Sequence, residues 1–168
     1  LIIHDISEIF VREDVTFEIF KKLHKSGSLI KAILTKKTNT KPRSFFDKID
    51  KWAKDQGWNG LAYFSIEEDS DNTLIAKGPI GKFFSKDSLK EIIKITSAEV
   101  GDSIFMSCSK EEEIFEIMSK SRNKIAEELG IIDENSFAFC WITDFPVFEY
   151  DKETSKIKFS HNPFSMPQ

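Results

Sequence analysis

The sequence is poor in the residues that usually announce a reactive centre. Its two cysteines, Cys108 and Cys140, form no CxxC and have no histidine pair beside them. Each sits in an apolar, strand-like run, so both are expected to be buried free thiols, with no metal or nucleophile role. That usage fits a reducing, cytoplasmic compartment. No apolar run approaches the roughly 18 residues that a membrane span needs, and no signal peptide opens the chain. The sequence starts at Leu1 without Met and stops at Gln168 in a Pro-rich loop, so both ends are expected to lie within a longer protein. A net charge of −4 gives no electrostatic case for a dedicated nucleic-acid binder, although it leaves room for one local basic face. Tyrosine is scarce, at two, whereas phenylalanine numbers sixteen. Many of these Phe adjoin Ile, Leu or Val, which reads as core and strand filling. A length of 168 residues is enough for one domain, or for one domain and part of another.

Periodicity gives most of the elements. Ile6, Ile9 and Phe10 suit a short helix after Asp5. Residues 15–23 are ambiguous: Val15, Phe17 and Ile19 alternate like a strand, whereas Phe17, Phe20 and Leu23 fit a helix. Leu29 to Leu34 reads as a strand, and Thr35 to Pro42 as a solvated loop. Phe45, Phe46, Ile49, Trp52 and Ala53 recur on one face of a helix from Ser44 to Gln56, which Gly57 ends. Leu61 to Ile66 and Thr73 to Ala76 read as a hairpin around the acidic turn Glu67 to Asn72, which lacks the spacing of a calcium loop. Next come a helix from Lys86 to Thr96, with Ser85 and Ser88 as competing caps, and a strand from Ser103 to Ser107. A long helix then runs to Leu129, with three glutamates in its first turn and Gly130 as its stop. Phe137 to Thr143 is a nearly continuous apolar run, expected to be a strand buried on both faces. A hairpin of Phe148 to Tyr150 with Lys156 to Phe159 follows. Mixed helices and strands with hairpin connections indicate an α+β fold, a two-layer sandwich of helices and mainly antiparallel sheet over about residues 1–130.

Several short strings, in order, carry a resemblance. They are Gly60-Leu61-Ala62-Tyr63, Lys77-Gly78-Pro79-Ile80 with Lys82-Phe83-Phe84, and Gly101-Asp102-Ser103-Ile104-Phe105. Then come Leu129-Gly130, Trp141-Ile142-Thr143-Asp144-Phe145-Pro146-Val147-Phe148-Glu149 and His161-Asn162-Pro163-Phe164-Ser165-Met166-Pro167. Their order and spacing resemble bacterial-type aspartyl-tRNA synthetase, a class II enzyme, over about residues 57–168. The resemblance implies that residues 1–130 are the GAD insertion domain, and that residues 131–168 are part of the class II catalytic domain. It implies a parent enzyme, a homodimer, that activates L-aspartate with ATP and Mg²⁺ and passes it to tRNA(Asp). The alternative is a non-catalytic module that contacts or positions tRNA, as in subunits of tRNA-dependent amidotransferases.

The resemblance carries over one site residue. His161 matches the first histidine of the family's His-His pair, which takes part in recognising aspartate. Asn162 stands at the second histidine and cannot titrate, and Ser165 keeps the hydroxyl of the family's threonine. Asp144 is expected to cap backbone donors at its turn rather than to shape the substrate site. No R-F-R-D-E-like or G-L-D-R-like string is present, so these residues alone are expected to be inactive, monomeric and without a bound cofactor. The Lys/Arg scatter from Lys21 to Arg43 is read as a solvated face balanced by acids, over a weak tRNA-facing patch. His4 and His24 have no partner pattern.

Overall fold

The computed structural model describes residues 1–141, 143, 146–151 and 154–160. The chain divides into two compact units, Leu1–Ile132 and Asp133–Gln168.

The first unit is built on one antiparallel sheet. Its strands are β1 (Ile3–Asp5), β2 (Leu29–Thr35), β3 (Ala62–Glu68), β4 (Leu74–Lys77) and β5 (Ser103–Ser109), in the order β1-β2-β5-β3-β4. The central strand β5 pairs with β2 along its whole length, Leu29 facing Ser109 and Thr35 facing Ser103, and with β3 from Ala62 to Ser65. Strand alternation sends its side chains to opposite faces. Ile104, Met106 and Cys108 enter one apolar core with Ile30, Ala32, Phe64 and Ile66, whereas Phe105 joins the other with Ile33. Both edge strands are short, which limits the unpaired backbone offered to another chain.

Helices cover both faces of this sheet. On one lie a 3-10 turn (Ser7–Val11), α1 (Glu18–Lys25) and α3 (Lys86–Thr96); Leu89 and Ile92 of α3 are buried there. On the other lie α2 (Arg43–Asp55) and α4 (Glu111–Leu129), anchored by Phe46, Ile49, Ile114 and Met118. The helical pattern of 44–56 is thus an amphipathic face seated on the sheet, where Phe46 stacks on Tyr63 with ring centres 4.3 Å apart. The fold is mixed α+β with an antiparallel sheet, as the sequence indicates, but the expected two layers are three, because the strands are apolar on both faces and helices cover each.

Local chemistry explains the helix ends. Ser85, not Ser88, caps α3: its Oγ accepts the Ser88 N–H at 3.0 Å. Gly130 ends α4 in the left-handed conformation, φ 65°. The ambiguous stretch around residues 15–23 resolves as the helix α1, because Phe17, Phe20 and Leu23 can then pack together against the core.

The second unit contains a two-stranded hairpin, β6 (Phe148–Asp151) and β7 (Lys156–Phe159), in which Phe148 faces Phe159 across the ladder at 4.9 Å. The buried strand expected over Phe137 to Thr143 is not found. Residues 137–141 and 143 form no strand, and Phe137, Phe139 and Trp141 are 93%, 97% and 96% exposed. An extended run has no hydrogen bonds of its own, so it needs neighbouring strands that these residues do not supply. For the same reason Cys140 is exposed rather than buried, while Cys108 is buried as expected.

Candidate functional site

His161, the substrate-site candidate, lies outside the described residues, as do Asp144, Asn162 and Ser165. The resemblance-bearing strings of the first unit are all described, and each has a structural task. Asp102 is fully buried and accepts the N–H groups of Lys37 at 3.0 Å and Glu99 at 2.9 Å, while the Lys36 ammonium reaches it at 3.0 Å. It ties the loop after β2 to the turn before β5. Phe83 and Phe84 stack on Phe17 and Phe64, closing the end of the sheet under α1. Gly81 lies so close to the Ala76 carbonyl that a side chain there would overlap it.

The clearest concavity opens where β3 outruns β4, between α1 and α2. It encloses about 780 Å³. Phe17, Phe20 and Leu23 form one wall, and Leu61 and Ala62 form the floor. Arg43, Asp47 and Asp50 of α2 line the other side. The charges contributed by α2 are already matched. Arg43 meets Asp47 at 3.4 Å. Asp50 receives Lys54 at 2.6 Å and also accepts the Leu61 N–H at 2.9 Å, holding the start of β3 to α2. Cys108 also lines the space, but burial pushes its thiol up to about 11, so it is not a thiolate at neutral pH. No nucleophile–base pair is formed among these residues; the geometry suits binding rather than bond-making. The sequence does not reveal this cavity as one site, since its lining comes from five separated stretches, two of which (Gly60 to Tyr63 and Pro79) fall in the resemblance-bearing strings.

Several lysines of the basic stretch from Lys21 to Arg43 are spent internally. Lys21 Nζ donates to the carbonyls of Arg12 and Val15 at 2.7 and 2.9 Å, and Lys31 is buried against Asp5 at 2.8 Å. Lys37 Nζ donates to the Val100 carbonyl at 2.8 Å. These pairings leave fewer of its cations free to meet phosphate. In the acidic hairpin turn Asp69 accepts the N–H groups of Asp71 and Thr73, which holds its carboxyl below the usual range. Among the described residues no group of three or more His, Cys, Asp or Glu side chains is placed to hold a metal ion, and no helix is long and apolar enough to cross a membrane.

Comparison with known proteins gives a consistent result. The chain is 62% identical over all 168 of its residues to aspartate–tRNA(Asp/Asn) ligase of Pelagibacter ubique (strain HTCC1062), covering 28% of that protein. It is 40% identical over its whole length to the protein of the same name from Beijerinckia indica, again covering 28%. For the protein of that name from the Wolbachia of Culex pipiens the identity is 46%, over 99% of the chain and 27% of the relative. The chain therefore spans little more than a quarter of the length of these relatives. The GAD domain model matches residues 20–118, which hold most of the sheet and its covering helices. The chain belongs to the GAD domain family.

Proposed function

We propose that the chain is a segment of an aspartate–tRNA ligase, with residues 1–130 forming its GAD insertion domain and residues 131–168 part of its class II catalytic domain. The observation that carries this reading is the match of the whole chain to ligases of that name, the second unit as well as the first. A free-standing GAD module of the amidotransferase kind would give no reason for residues 119–168 to follow the same relatives.

The full-length protein then joins L-aspartate to ATP as aspartyl-adenylate, releases pyrophosphate and passes the aspartyl group to the 3′ end of tRNA. Because the relatives carry both tRNAs in their names, the expected acceptors are tRNA(Asp) and tRNA(Asn). Catalysis of this type rests on charge placement: cations offset phosphate charge as it develops in the transition state. The described residues do not fit an ATP–Mg²⁺ site, having neither a metal-ligand cluster nor uncommitted arginines in the cavity. That chemistry is assigned to the remainder of the longer protein, and residues 1–168 alone are inactive and monomeric. The full-length protein is a cytoplasmic homodimer, and His161 binds the aspartate substrate.

The test is aspartate-dependent ATP–pyrophosphate exchange by the full-length protein, followed by charging of purified tRNA(Asp) and tRNA(Asn). Exchange with aspartate and charging of both tRNAs is the expected result. Absence of exchange under conditions where the protein is folded would leave the non-catalytic module as the better reading.

A further inference from the structure

We propose that residues 16–27, which carry α1, form a strap that lifts as a unit off the cavity while the sheet beneath stays folded. The strap hangs between two buried anchors. Val15 is fully buried and bridged to Phe84, and Ser28 is buried at the start of β2; no residue from 16 to 27 is buried. The other three helices of this unit each place several side chains fully in a core. At eight residues and without a side-chain cap at its N-terminus, α1 has little helical stability of its own.

What holds it down is local, beginning with the Thr16 N–H, which donates to the Phe83 carbonyl at 2.9 Å. Phe17 stacks on Phe83 at 5.0 Å and Phe20 packs on Phe10 at 5.5 Å, all from one side of the helix. Lys21 Nζ bridges to the Arg12 and Val15 carbonyls beside the first anchor. The space of about 780 Å³ beside these rings deprives them of packing partners, so the contact is weaker than its aromatic content suggests. At the C-terminal end Gly27 has φ 91°, and the turn is closed only by bonds within the segment and to its anchor: the Gly27 N–H to the His24 carbonyl at 2.9 Å, the Ser28 N–H to the Leu23 carbonyl at 3.0 Å, and the His24 ring to the Ser28 carbonyl at 2.8 Å. Few buried contacts, a short helix and bonds confined largely to the segment and its anchors are the features of a segment that opens below the global unfolding free energy. The open state uncovers Leu61, Ala62 and Cys108.

Two readouts on the full-length protein test this. One is hydrogen exchange, comparing amides of residues 18–25 with those of β5. The other is alkylation of Cys108 by N-ethylmaleimide, quantified on the peptide that contains it. Amides of α1 exchanging faster than those of β5, and Cys108 reacting at a rate insensitive to low urea, are the expected results. Lys21→Met should accelerate both by roughly tenfold, with α1 exchange and Cys108 alkylation still insensitive to low urea, although the folded state is weakened by the same factor against global unfolding. If α1 amides and Cys108 instead follow β5 at every urea concentration, opening requires global unfolding and the proposal fails. The wild-type comparison decides the matter even if the variant does not fold.

Discussion

Asp102 and Lys36 meet at 3.0 Å across the turn that feeds β5, with the carboxylate wholly buried and the ammonium half-exposed. The pair is unequal. Asp102 also accepts two backbone N–H groups, whereas Lys36 can turn to water. Asp102→Ala would strand those donors away from solvent and should cost about 2–4 kcal/mol. Lys36→Met removes only the partly exposed partner and should cost under about 1 kcal/mol. Urea unfolding of both variants measures the difference. Equal effects would mean that the ion pair, not the backbone bonds, is what matters.

Acid should loosen the first unit at a second point. Arg12 grips Asp14 with two nitrogens, at 2.8 and 3.0 Å, and the Ser85 hydroxyl donates to the same carboxylate. Together they hold Asp14 at about 2, below its ordinary 3.8. A carboxyl lowered in the folded state adds stability that is complete above the unfolded value and is lost as pH falls through the folded one. For Asp14 that window runs from about pH 4 down to about 2. Asp102 acts in the same direction: burial pushes its carboxyl up, but the donated N–H groups and Lys36 outweigh this and leave it low. Asp14→Asn should therefore be less stable than the wild type at pH 7 and lose less stability below pH 4. Parallel stability–pH curves for the two proteins would contradict this assignment.

These interactions were not readable from the sequence, and the reason is physical. The helix over residues 43–55 was legible because Phe46, Ile49 and Ala53 bury one stripe, and that stripe is written in the spacing. The hairpin β3–β4 was legible because its turn is polar and its strands apolar. Asp102 and Asp50 act instead on backbone groups, and Asp14 on the Ser85 hydroxyl, all brought near by tertiary folding. Asp14 and Ser85 are 71 residues apart, and nothing in either neighbourhood marks the pairing. β1 was missed because three residues cannot display a period. The strand pattern of residues 137–143 erred the other way: alternation and apolarity report what a run is suited to, and pairing requires partners beyond these residues. As for the candidate site, the sequence named His161 only through a motif, and the strings that reach the cavity beneath α1, Gly60 to Tyr63 and Pro79, do not by themselves announce a shared space.

Gly81 offers a test of close packing. A methyl group there would overlap the Ala76 carbonyl, a backbone atom that cannot swing aside. Gly57, by contrast, has φ 85° but open space around it. Gly57→Ala should thus cost only the left-handed strain, about 1–2 kcal/mol. Gly81→Ala should cost more, above about 2 kcal/mol, because β4 or the following turn must shift. Thermal unfolding of the two variants compares them directly, and a smaller loss for Gly81→Ala would show that β4 yields easily.

His161 is where the proposed function meets a single residue. An imidazole can accept a hydrogen bond from the aspartate ammonium or, when protonated, donate to a carboxylate. A hydrogen bond to a charged partner contributes about 1.5–3 kcal/mol, so His161→Ala should raise the KM for aspartate by roughly 10- to 150-fold. The KM for ATP should stay unchanged, which separates substrate recognition from a general loss of structure. The pH dependence tells the two hydrogen-bond roles apart. If protonated His161 donates to carboxylate, wild-type KM for aspartate rises as pH increases through the imidazole pKa, ordinarily about 6.5. If neutral His161 accepts from ammonium, KM rises as pH falls through it. His161→Gln keeps hydrogen-bonding capacity without titration, so it should retain part of the affinity and lose the pH dependence. An unaltered KM for aspartate in His161→Ala would remove the residue from the substrate site while leaving the family assignment, which rests on the whole chain, in place.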